Sequence, residues 1–298
     1  MTRTTDILFT ALAPAAWGST YIVTTEFLPA GYPITLAVLR ALPAGLLLLA
    51  VTRCLPPRDW LGRVFMLGAL NFAVFWTLLF VAAYHLPGGV AATATSVQAL
   101  LVIGMARGWL GTPVRAAAVV AAITGVSGVG LLLLGPAAAL DPVGIAAALG
   151  AAAAMAAGTV LSRKWQPPAP ALSFAAWQLT AGGLILLPLS LLAEPSLPSL
   201  TLTNLGGLLW LGLIGAAVTY WIWFRGVARI EPGAVSMLGM MSPVTAVVLG
   251  WVWLGQTLNP LQVLGAVIVL GSVCVSQAAN RPGGLHMPRL FTRRQPST

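Results

Sequence analysis

Arg40 is a charged side chain inside a long apolar segment. It lies in the run 34–52, about 9 Å from the nearer end of that run if the run is helical. A charge in a bilayer costs about 2.5–3.5 kcal/mol, so the guanidinium must face protein or water. Three interpretations are open: an anchor for a substrate carboxylate, which the planar donor fork suits, a structural pair with Glu26, or a side chain that extends to the membrane surface.

Polar and aromatic side chains also interrupt the other apolar segments. Besides Arg40, the candidates for substrate binding are Trp17, Thr20, Trp76, Phe80, Gln98, Trp177, Gln178, Tyr220 and Ser242. The candidates for structural or gating roles are Glu26, His85, Pro14 and Pro243. Each proline frees a backbone carbonyl that can bind a ligand where it lines a cavity. Neutral donors, aromatic faces and one cation together suit a zwitterion with an apolar side chain, and they suit a polyanion poorly.

Each of these residues also has a purely structural interpretation. A hydroxyl in a helix commonly bonds to the carbonyl of its own preceding turn. A tryptophan can belong to the aromatic belt at the membrane surface, although Trp17, Trp76 and Trp177 lie deeper than that belt. His85 lies at a segment end, where an interfacial role is the simpler interpretation.

The residues that other chemistries need are absent from the apolar segments. The six acidic residues are all at segment ends: Asp6, Glu26, Asp59, Asp141, Glu194 and Glu231. A relay of buried acids for proton coupling is therefore not expected. Cys54 and Cys274 are far apart, and neither cysteine nor histidine shows a metal-ligand spacing. We expect no enzyme activity, no metal and no cofactor, and we expect substrate movement that is facilitated or only weakly proton-coupled.

The composition assigns the chain to the membrane. Of its 298 residues, 58% are hydrophobic and only 7% are charged, and the mean hydropathy is +0.93, whereas about 25% of the residues of a soluble protein are charged. The apolar runs are too long for barrel strands and lack alternation, which favours helices. Ten spans are predicted, at 7–26, 34–52, 63–84, 89–109, 115–134, 142–162, 171–192, 204–225, 233–254 and 260–278.

The basic residues predict the orientation of these spans. Of the 15 lysines and arginines, all but Arg40 precede the first span, follow the last or lie on alternate connections. Such loops face the cytoplasm, so both termini are predicted to be cytoplasmic. Because the charge is distributed in this way, the net +9 does not indicate nucleic-acid binding. The tail 281–298 is predicted to be disordered, basic and cytoplasmic.

An internal repeat relates the two halves of the chain. At an offset of 144 residues, spans three and four align without a gap on spans eight and nine, and the WLG of 109–111 falls on the WLG of 253–255. At an offset of 138, residues 44–49 fall on 182–187 and Arg40 falls on Gln178. The offset covers five spans, an odd number, so the second copy must be inverted. Inverted repeats are typical of secondary transporters, whose substrates bind near the midplane between the repeats. The predicted halves are 1–139 and 140–280.

Two segments resemble a known transporter group. The opening WGSTYIV (17–23), followed by an arginine in the second span, resembles the EamA-type families of the drug/metabolite transporter superfamily. The segment SPVTAVVLGWVWLGQTLNPLQVLGAVIVLGSV (242–273) resembles their ninth-to-tenth-span signature. The resemblance implies ten helices around a central cavity and, from the aromatic interior, a likeness to bacterial exporters of aromatic and other neutral amino acids. The chain departs from the family at Gln256 and Thr112, where glutamate usually follows the Leu-Gly turn.

These observations predict a multi-pass transporter of the bacterial inner membrane that exports aromatic and other neutral amino acids by alternating access. Its expected partners are a zwitterionic amino acid and membrane lipid, and the protein is expected to be a monomer or a weak homodimer. An importer or exchanger of other metabolites, or a broad drug exporter, remains an alternative. An intramembrane enzyme lacks its catalytic groups in this sequence, and the inverted repeat disfavours a channel or a receptor.

Overall fold

The computed structural model describes residues 3–86, 88–133 and 141–280, and the regular elements in these residues are helices. In chain order they are α1 (Arg3–Phe27), α2 (Pro33–Thr52), α3 (Leu61–Gly68), α4 (Val74–His85), α5 (Gly88–Ser96), α6 (Gln98–Leu110), α7 (Ala116–Leu133), α8 (Pro142–Lys164), α9 (Ala171–Ala193), α10 (Leu202–Leu209), α11 (Thr219–Arg229), α12 (Pro232–Leu238), α13 (Met241–Leu254) and α14 (Pro260–Ala279). A 3-10 turn, Arg58–Trp60, precedes α3.

The described residues contain 9 helical runs that are long and apolar enough to cross a membrane. The protein is therefore a multi-pass membrane protein, and these runs coincide with nine of the predicted spans. The fourth predicted span, 89–109, is not among these runs; the chain there forms two shorter helices, α5 and α6, with a turn at Val97. The predicted tail 281–298 and the predicted boundary between the halves lie outside the described residues.

Two π-helical segments interrupt the helices of the bundle. The first, Ala69–Ala73, joins α3 to α4, and the second, Trp210–Val218, joins α10 to α11. At the offset of 144 residues the first segment corresponds to 213–217, which lies inside the second. A π segment shifts the backbone hydrogen-bond ladder by one residue and frequently marks a functional position.

The repeated WLG sequence ends two helices in the same way. Gly111 follows α6 with φ +71° and Gly255 follows α13 with φ +63°. This left-handed conformation is available to glycine without a steric penalty, so glycine commonly follows the last turn of a helix. The two glycines are aligned at the offset of 144 residues.

The helices α2 and α9 cross in close contact and run antiparallel. An added Cβ at Gly45 would lie 2.5 Å from the amide nitrogen of Thr180, and one at Gly183 would lie 2.9 Å from that of Leu42. Because the later residue of one helix meets the earlier residue of the other, their directions are opposite. Small residues at such crossings let transmembrane helices pack backbone to backbone. At the offset of 138 residues, Gly45 corresponds to Gly183 and Leu42 to Thr180, so the two contacts are equivalent.

The helices α7 and α14 form a second antiparallel pair. An added Cβ at Gly265 would lie 2.5 Å from the amide nitrogen of Leu132, and one at Gly125 would lie 2.7 Å from Oγ of Ser272. Each of these pairs joins one helix from each predicted half. Other large interfaces also cross between the halves, with α1 on α11 and α13, and α8 on α4 and α6.

Basic side chains gather at one end of the bundle, termed the basic end. Asp6 on α1 accepts hydrogen bonds from Arg225 (2.7 Å) and Arg229 (3.3 Å), which are on α11. Arg115, just before α7, lies 3.5 Å from the Glu231 carboxylate and donates to the carbonyl of Ala279 at 2.8 Å. These contacts tie the ends of helices from both predicted halves together.

The Glu231 carboxyl at the basic end has an altered acidity. Partial burial raises the pKa of Glu231 above its usual value, and attraction to Arg115, Arg3 and Arg163 lowers it only in part. Charged carboxylates lose hydration on burial, which favours the protonated form. Glu231 lies between α11 and α12, outside the membrane-spanning runs.

The opposite end of the bundle has its own polar contacts. The Glu194 carboxylate accepts hydrogen bonds from the amides of Ile34 (2.6 Å) and Thr35 (2.7 Å) at the start of α2. A carboxylate there is stabilised by the positive end of the helix dipole. His85 Nδ1 lies 3.4 Å from Asp141, which also caps the start of α8. All six acids therefore lie at helix ends, as the sequence predicts.

Candidate functional site

Arg40 is on α2, and its charged group is held by a backbone carbonyl. Its Nη2 donates a 2.7 Å hydrogen bond to the carbonyl oxygen of Gly215, which belongs to the second π segment. Its Cζ lies 5.3 Å from the centre of the Trp76 ring, a distance at which a cation is attracted to the aromatic face. Its Nε is buried and has no hydrogen-bond partner within the described residues. The guanidinium therefore keeps unused donor capacity inside the bundle.

Of the three interpretations of Arg40, the pairing with Glu26 is not found in the structure. The Glu26 side chain is exposed and accepts a hydrogen bond from Thr25 at 3.2 Å. The acid that contacts α2 is Glu194, and it binds backbone amides at the helix start. Glu26 is on the connection next to α2, whereas Glu194, at the end of α9, reaches the start of α2 from far along the chain.

Four aromatic rings, termed the aromatic cluster, contact one another beside Arg40: Trp17, Phe72, Trp76 and Tyr220. The ring centres of Trp17 and Tyr220 are 4.9 Å apart, those of Tyr220 and Phe72 are 4.7 Å apart, and those of Phe72 and Trp76 are 5.3 Å apart. Phe72, Trp76 and Tyr220 are 0%, 6% and 3% exposed. The cluster thus combines α1, α4, α11 and the first π segment, and three of its four rings are buried while Trp17 is half-buried.

A buried amide pair extends the polar part of the site. Asn71 Nδ2, in the first π segment, donates to Gln178 Oε1 at 2.7 Å and to Ser162 Oγ at 3.3 Å. Asn71 Oδ1 and Gln178 Nε2 are buried without a hydrogen-bond partner in the described part of the chain. The amide packs directly on Gly158 of α8, where an added Cβ would collide with Asn71 Oδ1.

The amide pair and the Arg40–Gly215 pair are related by the sequence repeat. Arg40 corresponds to Gln178 at the offset of 138 residues, and Gly215 corresponds to Asn71 at the offset of 144. Each pair joins α2 or α9 to a π segment of the other predicted half. Trp76 and Tyr220 are also equivalent at the offset of 144. The two predicted halves therefore contribute equivalent positions to the site, but only the Arg40–Gly215 pair carries a charge.

Trp177 lies apart from the aromatic cluster. Its ring is only 2% exposed, and its Nε1 donates a 2.6 Å hydrogen bond to the carbonyl of Cys54, just after α2. Neighbouring residues on a helix point about 100° apart, so Gln178 reaches the amide pair while Trp177 does not. This predicted binding residue instead anchors α9 to the connection after α2.

The other predicted site residues are distributed around this centre. The Thr20 hydroxyl is buried without a hydrogen-bond partner among the described residues. Gln98 begins α6 and Ser242 lies in the first turn of α13, so each follows the break that divides its predicted span. Phe80 is half-buried on α4, Pro14 is buried within α1, Pro243 is half-buried in α13, and His85 is exposed beside Asp141.

Sequence reasoning missed the residues that hold Arg40 and the rings in place. Phe72 connects Trp76 to Tyr220, and the partner of Arg40 is a main-chain oxygen of Gly215, which has no side-chain signal. Asn71 was visible as a polar residue within a span. The alignment of Asn71 with Gly215 in the repeat is the one sequence signal that connects these two residues to the site.

The sequence model of the EamA-like transporter family matches the chain twice, over residues 4–134 and 142–277. The chain belongs to this family. Together the two matches cover most of this chain, and each match corresponds to one of the predicted halves.

Individual relatives agree with this membership. The chain is 45% identical over 271 residues to protein PecM of Dickeya dadantii, which covers 90% of this chain and 91% of that protein. It is 30% identical over 137 residues to a probable amino-acid metabolite efflux pump of Salmonella typhimurium, covering 43% of this chain and 46% of that protein. A crystal structure of another protein superposes with a TM-score of 0.82 at 20% identity, over 94% of this chain and 98% of that one, which shows a shared fold.

Proposed function

We propose that this EamA-family protein is a secondary transporter of the bacterial inner membrane that exports neutral amino acids, aromatic ones among them. The observation that carries the proposal is the Arg40 guanidinium, the one cation inside the described bundle, 5.3 Å from the Trp76 ring of the largely buried aromatic cluster. Arg40 binds the substrate carboxylate, and the rings of Trp17, Trp76 and Tyr220 contact its side chain. The partial similarity to a probable amino-acid metabolite efflux pump supports this substrate class and the direction of transport.

The Arg40 contact with Gly215 supports a ligand-binding role for the guanidinium. A guanidinium and a carboxylate frequently form two parallel hydrogen bonds and carry opposite charges, whereas the Gly215 carbonyl is neutral and accepts from one guanidinium nitrogen. A substrate carboxylate therefore competes well with the neutral Gly215 carbonyl for Nη2, and the unpaired Nε provides a further donor. When the carboxylate replaces the Gly215 carbonyl as the partner of Nη2, Arg40 moves away from the second π segment. Substrate binding is thereby coupled to the position of that segment.

The proposed architecture is ten spans in two inverted five-helix halves, 1–139 and 140–280, with both termini in the cytoplasm. Three observations support it: the double family match, the antiparallel pairs α2–α9 and α7–α14, and the equivalent positions of the two π segments. The grouping of basic residues at one end supports assigning that end to the cytoplasm.

With the basic end assigned to the cytoplasm, the described conformation is closed towards the cytoplasm. The Asp6–Arg225 pair joins α1 to α11, and the Arg115 contacts join α7 to α12 and α14. Opening towards the cytoplasm requires these contacts to separate. Because all six acids lie at helix ends, the site has no buried acid to couple this movement strongly to protons.

The proposal is tested by counterflow into liposomes that contain the purified protein. The panel comprises neutral, acidic and basic amino acids, sugars, sugar phosphates and quaternary amines, with protein-free liposomes as the control. We expect the highest uptake for phenylalanine or tryptophan, because each combines a carboxylate for Arg40 with a ring for the aromatic cluster. A preference for sugar phosphates or for quaternary amines would contradict the proposal, and would favour a metabolite exchanger or a drug exporter respectively.

A further inference from the structure

An apolar groove opens on the surface of the bundle beside Trp177. It has a volume of about 280 Å³ and lies between the end of α2, the start of α3 and α9. Its walls include Leu49, Leu55, Leu61, Phe65, Trp177 and Leu184. Leu55 is 75% exposed, Leu184 46% and Phe65 43%. This volume is close to the lower end of the range for small-molecule sites, about 300 Å³.

Trp177 closes the inner wall of the groove. The indole is nearly inaccessible and is fixed to the Cys54 carbonyl, and the lining of the groove includes neither Arg40 nor a ring of the aromatic cluster. A ligand in the groove therefore occupies a different site from the transported substrate. The groove faces outward from the helix bundle, where lipid chains are the available apolar ligands.

Two arginines lie on the chain segment that forms one rim of the groove. Arg53 ends α2 and Arg58 begins the 3-10 turn, and the wall residues Leu55 and Pro56 lie between them. Both arginines are exposed, and neither forms an ion pair within the described residues. Asp59 is the acid of this segment and offsets part of the charge. Arg63 is occupied elsewhere, over the rings of Trp60 and Trp165 at 5.0 and 5.9 Å.

We propose that this groove is a binding site for an anionic phospholipid of the leaflet at the basic end. One acyl chain lies along the apolar walls, and the phosphate is bound by Arg53 and Arg58. Basic pockets between transmembrane helices at the cytoplasmic face are typical binding sites for anionic lipid headgroups. A zwitterionic lipid fits the walls equally well but gains less from the arginines, so headgroup charge decides the preference.

The test is a lipid titration of the purified full-length protein followed by native mass spectrometry. Phosphatidylglycerol and phosphatidylethanolamine with identical acyl chains are compared. We expect tighter binding of phosphatidylglycerol, and we expect Arg53→Gln and Arg58→Gln each to weaken it about fivefold, since one arginine near the membrane surface contributes about 1 kcal/mol. Arg107→Gln is the matched control, because Arg107 is a basic residue on α6, away from the groove. Equal affinity for the two lipids, or an equal loss in Arg107→Gln, would overturn the proposal.

A second variant tests the position of the acyl chain. Leu184→Trp fills part of the groove and leaves both arginines in place, so we expect weaker binding of phosphatidylglycerol than in the unchanged protein. Leu192→Trp, at an 87% exposed position near the other end of α9, is its control. Thermal unfolding is measured for both variants, and if Leu184→Trp does not fold, the arginine variants alone decide. Unchanged lipid affinity in a folded Leu184→Trp protein would place the lipid elsewhere and overturn the proposal.

Discussion

Arg40→Ala lowers amino-acid counterflow about 10- to 100-fold, the range expected for loss of a hydrogen bond to a charged ligand group, about 1.5–3 kcal/mol. The guanidinium is the one cation of the described bundle interior, and its loss leaves a substrate carboxylate without an ionic partner. Arg40→Lys keeps the charge but not the planar fork, so we expect it to retain part of the transport. Counterflow in liposomes with equal amounts of protein is the measurement.

The controls separate binding from folding. Arg107→Ala removes a half-buried arginine near the basic end and should transport at the unchanged rate. Reduced transport of Arg40→Ala with normal expression and an unchanged unfolding temperature supports substrate binding. Loss of expression that Arg40→Lys restores assigns Arg40 a structural role through Gly215 instead. Full transport by Arg40→Ala would contradict the proposed site.

Gly45→Ala and Gly183→Ala should each destabilise the protein by about 1–3 kcal/mol, the usual effect of overpacking a tight interface. The added methyl at Gly45 meets the backbone of Thr180, and the one at Gly183 meets the backbone of Leu42, so no side-chain rotation relieves the contact. The two effects should be similar, because the contacts are equivalent under the repeat. Unfolding in detergent, followed by circular dichroism, is the measurement.

Gly104→Ala is the matched control for the two glycine variants. Gly104 lies within α6, and an added Cβ there has no neighbouring atom within 4 Å. Alanine has a higher helix propensity than glycine, so this variant should be unchanged or slightly more stable. If Gly45→Ala is as stable as Gly104→Ala, the close crossing of α2 and α9 is incorrect.

The apolar runs predict the membrane helices well, because length and hydropathy follow directly from the thickness of the bilayer. The predicted span 171–192 agrees closely with α9, and 260–278 with α14. The two π segments could not be predicted, because an extra residue in a helical turn has no characteristic composition and is stabilised by tertiary contacts. The turn at Gly239–Met240, between α12 and α13, lies just before Pro243, whereas the turn at Val97 has no proline to mark it.

The sequence predicted part of the candidate site for similar reasons. Trp17, Trp76 and Tyr220 were recognised because large aromatic residues deep in a span are conspicuous, and the structure brings them together. The partner of Arg40 could not be predicted, because every residue carries a carbonyl oxygen. Trp177 was placed with the others because depth can be read from a sequence, but the direction of a side chain around its helix cannot be read without the neighbouring helices.

The most direct test of the inverted halves is the sidedness of two equivalent positions. Thr112 and Gln256 correspond at the offset of 144 residues, and each follows a Leu-Gly helix end. In a Cys54→Ser, Cys274→Ser background, Thr112→Cys should react with a membrane-impermeant thiol reagent only from the cytoplasmic side, and Gln256→Cys only from the outside. Reaction of both cysteines from the same side would contradict the inverted arrangement, and with it the proposed substrate site between the two halves.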